Sequence, residues 1–403
     1  MKLQIKKNGK LELNALKIVE ILKERGFEAY FVGGSVRDLL LGEELKDIDI
    51  ATSAKPEEIK KSLSKIPEVK FLEIGESFNI VMAVIDKIHY EIATFRGEDE
   101  YSDGRRPEKV FFVNNAKEDA ARRDFTINAM FYDPTNDELL DYFDGQKDLK
   151  DKVIRAIRDP NERFAEDYLR MLRAVRFAAA KNFEIEPKTL DAIKKNSEKI
   201  SNISKERIKQ EFDKIILSEK CADYVLLCSE LGLFENMFEF KFDKKIVQNL
   251  SKTKPNLKVR YALLFEEKEN ISSFLRSLTF DNKTKQDIIW IVQNSNVLQK
   301  WKEMSEYERI ELVCNDNFGN LVEFLKAKSF DMKNLEKFEK EFKKDKERCS
   351  QVKKFTLITG KDLAEIGVIP GKEMGEILLK VKKEYILGKI NTKKEALEFA
   401  KSL

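Results

Sequence analysis

Histidine is almost missing from this chain: 403 residues contain one, His89. That excludes the histidine-rich metal hydrolases. His89 itself lies in the strand-like run Ile88-His89-Tyr90-Glu91-Ile92 and reads as a satisfied strand residue rather than a catalyst. Cysteine is scarce as well. Cys221, Cys228, Cys314 and Cys349 are scattered without metal-type pairing and suggest reduced cytoplasmic thiols. No stretch approaches the roughly 18 apolar residues that a membrane span needs, and the start, MKLQIKKNGK, lacks the apolar core of a signal peptide. There is no short-period repeat and no low-complexity linker. The chemistry must run on carboxylates and arginines.

At this length two to four domains are expected. Net charge is only +3, but it is unevenly spread: residues 1–150 carry 24 Lys and Arg against 30 Asp and Glu, and the remainder 51 against 42. A mildly acidic catalytic end joined to a basic remainder suits an enzyme that grips a polyanion with its C-terminal part. An ordinary lysine-rich helical surface would give the same count.

The pattern up to about residue 150 mixes strands and helices. Strands are expected at Ala29–Val32, Asp47–Ala51, Asn79–Ile85, Ile88–Phe95 and Val110–Val113, with a hairpin turning on Asp86-Lys87. The segment from Arg96 to Pro107 is charged, glycine-bearing and nearly devoid of apolar anchors, which reads as a mobile loop. Beyond residue 150 helical periodicity takes over, with helices expected over Glu162–Asn182, Glu206–Leu217, Ala222–Leu231, Leu257–Leu264, Lys283–Trp301 and Lys372–Leu387. Ile203-Ser204-Lys205-Glu206 reads as a serine-capped helix start. An α/β head followed by an all-helical body is the economical architecture.

Three clusters carry chemistry. In Gly33-Gly34-Ser35-Val36-Arg37-Asp38 an apolar strand leads into two glycines and then a helix. Glycine allows a sharp turn and close ligand approach, and the free N–H groups of such a turn favour phosphate. Asp47 and Asp49 follow; on a strand, positions i and i+2 share a face. Two carboxylates aimed at one spot are costly without a cation, and an oxygen pair suits magnesium with a triphosphate. The second cluster, Arg122-Arg123-Asp124-Phe125-Thr126-Ile127-Asn128, offers guanidinium forks that match phosphate oxygens. The third, Glu166-Asp167-Tyr168-Leu169-Arg170-Met171-Leu172-Arg173-Ala174-Val175-Arg176, places Asp167 and Arg170 three apart, as neighbours on one helix face. A carboxylate acceptor beside a guanidinium donor can read the Watson–Crick edge of a base. Asp141-Tyr142-Phe143-Asp144-Gly145 between the clusters reads as a turn, structural first and a hinge second.

Gly-Gly-x-Val-Arg-Asp with Asp-x-Asp downstream resembles the first motif of the class II nucleotidyltransferases, a group that includes tRNA CCA-adding enzymes, their CC-only and A-only relatives, and bacterial poly(A) polymerases. Arg122–Ala129 resembles the second motif, Asp141–Leu149 the third, and Glu166–Arg176 the fourth. The likeness covers residues 28–217 strongly and 359–378 more loosely. It implies a polymerase-β-type nucleotidyltransferase head over residues 1–150, then an all-α neck (151–217), body (218–285) and tRNA-binding tail (286–403). Asp47 and Asp49 would bind two magnesium ions, one activating the terminal ribose hydroxyl and the other supporting the triphosphate as pyrophosphate leaves. Gly33, Gly34, Arg37 and Arg123 would contact the nucleotide, and Asp124 and Asn128 would organise the sugar and the local backbone. Asp167 and Arg170 would select CTP and ATP, with Arg173 and Arg176 serving the template and the phosphates. Glu91 stands near where related folds keep a third carboxylate.

The resemblance further implies a cytoplasmic enzyme with tRNA as its partner and no membrane. Template-independent CCA addition is the expected activity; CC-only or A-only addition and poly(A) synthesis are the alternatives. Poly(A) polymerases typically carry a basic Gly-Arg-Arg-Phe-type string where this chain reads Gly75-Glu76-Ser77-Phe78, which favours the tRNA enzyme. CC-only enzymes tend to lack a full-length loop at Glu98–Pro107. Here the segment is complete, with Tyr101, Asp103, Arg105 and Arg106. A non-catalytic RNA-binding protein with a degenerate head is disfavoured, because both carboxylates and all the arginines are present.

Overall fold

The computed structural model describes residues 9–72, 80–98, 110–113, 115–328, 332–346, 349 and 355–403. Both Gly75–Phe78 and Tyr101, Asp103, Arg105 and Arg106 lie outside them. The chain divides into two compact units, Met1–Lys241 and Phe242–Leu403.

The first unit is built on a seven-stranded mixed sheet. Its strands are β1 (Ala29–Val32), β2 (Asp49–Thr52), β3 (Lys70–Leu72), β4 (Ile80–Ile85), β5 (Ile88–Thr94), β8 (Phe131–Asp133) and β9 (Glu138–Leu140), in the spatial order β3-β4-β5-β2-β1-β8-β9. The central strands β1 and β2 are antiparallel, with Val32 opposite Asp49, and β2 runs parallel to β5 with Ile50 opposite Ile92. Apolar residues explain the central position. Phe31, Val32, Ile50, Ala51 and Ile92 are buried, as strands covered on both faces require. The β4–β5 hairpin turns on Asp86 and Lys87, both with positive φ (53° and 67°), the twist that a two-residue hairpin loop favours. Helices α1 (Lys10–Glu24), α2 (Gly34–Leu40), α3 (Pro56–Leu63) and α4 (Ala116–Ala121) accompany the sheet, and α5 (Gly145–Asp151) follows it.

Several expectations need correction. β2 begins at Asp49, so Asp47 lies in the irregular segment before it. Arg96–Glu98 is not loop but β6, paired antiparallel with β7 (Val110–Phe112). Gly145 opens α5 rather than a simple turn: the Asp141 carboxylate accepts from the N–H groups of Gly145 and Gln146, both at 2.8 Å. The expected helix Glu162–Asn182 is two, α6 (Pro160–Glu166) and α7 (Leu169–Lys181), with Asp167 extended between them (φ −152°, ψ 103°). Ser204 stands at the N-cap of α9 (Lys205–Ile216), yet its side chain makes no capping bond. A short parallel pair, β10 (Val153–Ile154) and β11 (Glu184–Ile185), and α8 (Pro187–Asn196) complete the neck region.

The second unit is helical throughout its described residues. The expected helix Lys283–Trp301 is two, Asn282–Gln293 and Val297–Lys300. Trp301, Phe318, Phe338 and Phe342 form an aromatic cluster, with the last two rings 4.2 Å apart. A second small core gathers Ile358, Leu363, Val381, Ala396 and Ala400. Cys314 and Cys349 form a disulfide, against the expectation of reduced thiols, and Cys221 and Cys228 are free and buried. No helix among the described residues is long and apolar enough to cross a membrane.

Candidate active site

Strand β1 delivers the chain into Gly33 at φ 69° and then into α2, a backbone conformation that favours glycine. Space demands glycine too. A Cβ there would lie 3.2 Å from Arg123 Nη1 and 3.9 Å from Asp49 Oδ2. The turn thus brings a backbone cradle, a guanidinium and a carboxylate to one place. At Gly34 a Cβ would meet Arg37 Nη2 only at ordinary contact distance, 3.4 Å.

Asp49 reaches this place because it pairs with Val32 across β1 and β2. The parallel pairing of Ile50 with Ile92 sets Glu91 beside it on the neighbouring strand. Burial first, then the charges of Glu91 and Asp47, push the Asp49 carboxyl up to about 6 against the opposing charge of Arg123. Negative charge is therefore gathered with too little compensation, the electrostatic signature of a cation site. Among the described residues no three His, Cys, Asp or Glu side chains converge as a closed metal cage. The protein offers a carboxylate pair, and hard-cation coordination by few carboxylates leaves room for phosphate oxygens.

Arg123 is oriented by Asp119, a residue the sequence reading missed. The buried Asp119 accepts from Arg122 Nε and Nη2 (2.8 and 2.7 Å) and from Arg123 Nε and Nη2 (3.3 and 3.1 Å). Its signal was the i,i+3 and i,i+4 spacing to two arginines. Asp124 and Asn128 come together as expected: Asn128 Nδ2 donates to Asp124 Oδ1 (3.1 Å), while Asn128 Oδ1 accepts from the buried Arg37 (2.8 Å). Arg173 on α7 donates twice to Asp124 Oδ2, at 2.9 and 2.6 Å. Burial would raise the Asp124 carboxyl, but the Arg173 charge and the hydrogen bonds outweigh it and hold it at about 2.

Arg37, Arg173 and Arg176 all face the ring of Phe177, at 5.4, 5.3 and 3.7 Å from its centroid. The Arg176 guanidinium is lowered to about 10 by burial and by the charges of Arg173 and Arg37, against the pull of Glu211. Glu211, on α9, contacts Arg176 at 2.5 Å without aligned hydrogen bonding. It was also missed; an acid on the stripe Ile208, Phe212, Ile215 is the signal of a buried ion pair. Each of the three guanidiniums is paired with a carboxylate: Arg37 with Asp38, Arg173 with Asp124, and Arg176 with Glu211.

Asp167 and Arg170 do not share a helix face as expected, because the break between α6 and α7 falls at Asp167. Arg170 donates to the carbonyls of Arg163 and Arg122 (both 3.0 Å) and pairs with Glu166, which also binds Arg163. Asp167 accepts from Leu169 N (3.1 Å) and from Arg207 Nη2 (2.6 Å).

A mixed sheet with a glycine turn, a carboxylate pair and a ring of arginines defines a nucleotidyltransferase head. The profile of the "Poly A polymerase head domain" matches residues 29–155, that of the "Probable RNA and SrmB- binding site of polymerase A" residues 182–241, and that of tRNA nucleotidyltransferase domain 2 residues 258–400. The CCA-adding enzyme of Ligilactobacillus salivarius is 41% identical over 96% of both chains, and that of Enterococcus faecalis 36% identical over 96% of this chain and 95% of its own. A crystal structure of the Bacillus stearothermophilus CCA-adding enzyme in complex with CTP superposes with a TM-score of 0.80 at 27% identity, covering 98% of each chain. The chain belongs to the CCA-adding enzyme family. That family implies a divalent cation, and the uncompensated charge at Asp49 fits one.

Proposed function

We propose that this enzyme adds CCA to tRNA 3′ ends from CTP and ATP without a nucleic-acid template, in the cytoplasm. The observation that carries the reading is the convergence of the Gly33 turn, Asp49 and Arg123 within contact distance, which joins a phosphate cradle to a cation site. Asp47 and Asp49 would hold magnesium, which supplies Lewis-acid activation of the attacking hydroxyl and charge relief at the triphosphate. The protein's own part is positioning. Gly33, Gly34, Arg37 and Arg123 seat the triphosphate, Asp124 and Asn128 set the sugar side, and Arg173 and Arg176 meet the remaining anionic charge.

Base choice falls to Asp167 and Arg170. Cytosine and adenine both present an amino group beside a ring-nitrogen acceptor. Uracil and guanine present a carbonyl beside an N–H. A carboxylate acceptor with a guanidinium donor fits the first pair and repels the second. The head (1–150) and neck (151–217) carry the chemistry in this reading, and the body (218–285) and tail (286–403) hold the tRNA by shape and phosphate contacts. The test is nucleotide incorporation on three tRNAs, one lacking CCA, one ending in the first C and one ending in CC. Complete repair of all three is expected. Arrest after CC, or extension only of the third, would assign the partial activities instead.

A further inference from the structure

Asp167 has no helix to hold it. Its backbone is extended between α6 and α7, so the direction of its carboxylate rests on two bonds, to Leu169 N and to Arg207 Nη2. Arg170 is held by other parts of the chain, namely Glu166 and the carbonyls of Arg163 and Arg122. The spacing between acceptor and donor is thus set by α9 on one side and by α6 and the head on the other. Arg207 lies in the first turn of α9, where the helix dipole disfavours a cation, so helix stability does not account for it. One turn further along, Glu211 reaches Arg173 and Arg176 from the same helix. One face of α9 therefore braces the side chains that α7 and the α6–α7 break present.

We propose that Arg207 is a positioning residue that determines base specificity: it fixes the Asp167 carboxylate opposite the exocyclic amino group of the incoming base, so that uridine and guanosine triphosphates meet a repelling acceptor. This rests on the reading that Asp167 contacts the base. A carboxylate released from Arg207 can rotate away from a carbonyl, and the penalty against the wrong base falls with it.

The test uses the full-length enzyme on a tRNA lacking CCA, comparing CTP with UTP for Arg207→Ala, Arg207→Lys, Asp167→Ala and the double variant, with melting curves as a control. Arg207→Ala is expected to raise KM for CTP while kcat stays within about twofold, and to lower the CTP/UTP ratio of kcat/KM by about tenfold. Arg207→Lys should recover most of the ratio, and the double variant should discriminate no worse than Asp167→Ala. Equal losses for CTP and UTP in Arg207→Ala, alongside relaxed choice in Asp167→Ala, would overturn the positioning role alone. An unchanged ratio in Asp167→Ala removes Asp167 from base reading and the proposal with it. Should Arg207→Ala not fold, Arg207→Gln, which keeps the side-chain length without the charge, carries the same comparison.

Discussion

At the scale of single residues, the site is a balance of charges brought closer than water-exposed groups would tolerate. Asp49 sits beside Glu91 and Asp47, with Arg123 as the opposing charge. Asp47→Ala or Asp49→Ala is expected to abolish incorporation of both CTP and ATP while tRNA affinity, measured by filter binding, stays nearly normal. Near-normal turnover in either variant would move the cation site elsewhere. The raised Asp49 carboxyl also has a stability consequence. A carboxyl whose folded-state value lies above its unfolded value favours folding while protonated, and that contribution is lost as pH rises towards about 6. Asp49→Asn removes the burden. In chelator, the variant should melt close to wild type near pH 3 and above it at pH 7.5, by an amount on the order of 1–2 kcal/mol after allowance for partial exposure. Equal melting at pH 7.5 would show that the three carboxylates do not strain one another.

At the scale of elements, the glycine turn between β1 and α2 and the break between α6 and α7 do most of the positioning. The first was legible because a buried strand, two glycines and a helix follow one another within a dozen residues. The second was not. Arginines recurring every third residue from 170 to 176 suit an unbroken helix, and what ends α6 at Glu166 involves partners outside it: the Arg122 carbonyl for Arg170, and Arg207 for Asp167. Strands β6 and β7 flank the segment that carries Tyr101, Asp103, Arg105 and Arg106. We propose that passing from cytosine to the larger adenine makes the base-reading residues adjust and that this segment acts as the lever. Shortening residues 98–107 should leave two C additions nearly normal and block the terminal A, as read on sequencing gels of extended tRNA. Equal loss of C and A addition would reduce the segment to a stabilising role.

At the scale of the whole chain, the two units differ in how each is held together. The first combines a sheet with buried ion pairs; the second relies on helices and an aromatic cluster, to which the Cys314–Cys349 disulfide adds a link that a reducing cytoplasm would open. A bridge spanning 35 residues constrains the unfolded chain, and chain-entropy reasoning values such a loop at up to about 4 kcal/mol. Cys314→Ser should therefore lower the melting temperature of the full-length protein under oxidising conditions and make no difference in dithiothreitol. An unchanged melting curve without reductant would show that the bond adds nothing to stability.

The sequence by itself determined what depends on near neighbours: strands β1, β4, β5 and β7, the Asp86-Lys87 hairpin, the glycine turn and the residue types of each cluster, whereas β3, β8, β9 and most of the head's helices went unread. These follow from side-chain periodicity and from backbone preferences that act over a few residues. Only the tertiary structure decided which charge meets which. Asp124 with Arg173, Arg176 with Glu211, Asp167 with Arg207 and Cys314 with Cys349 are joined across 35 to 49 residues. A buried charge takes the partner that packing brings within reach, and packing is a property of the assembled elements, not of any one of them.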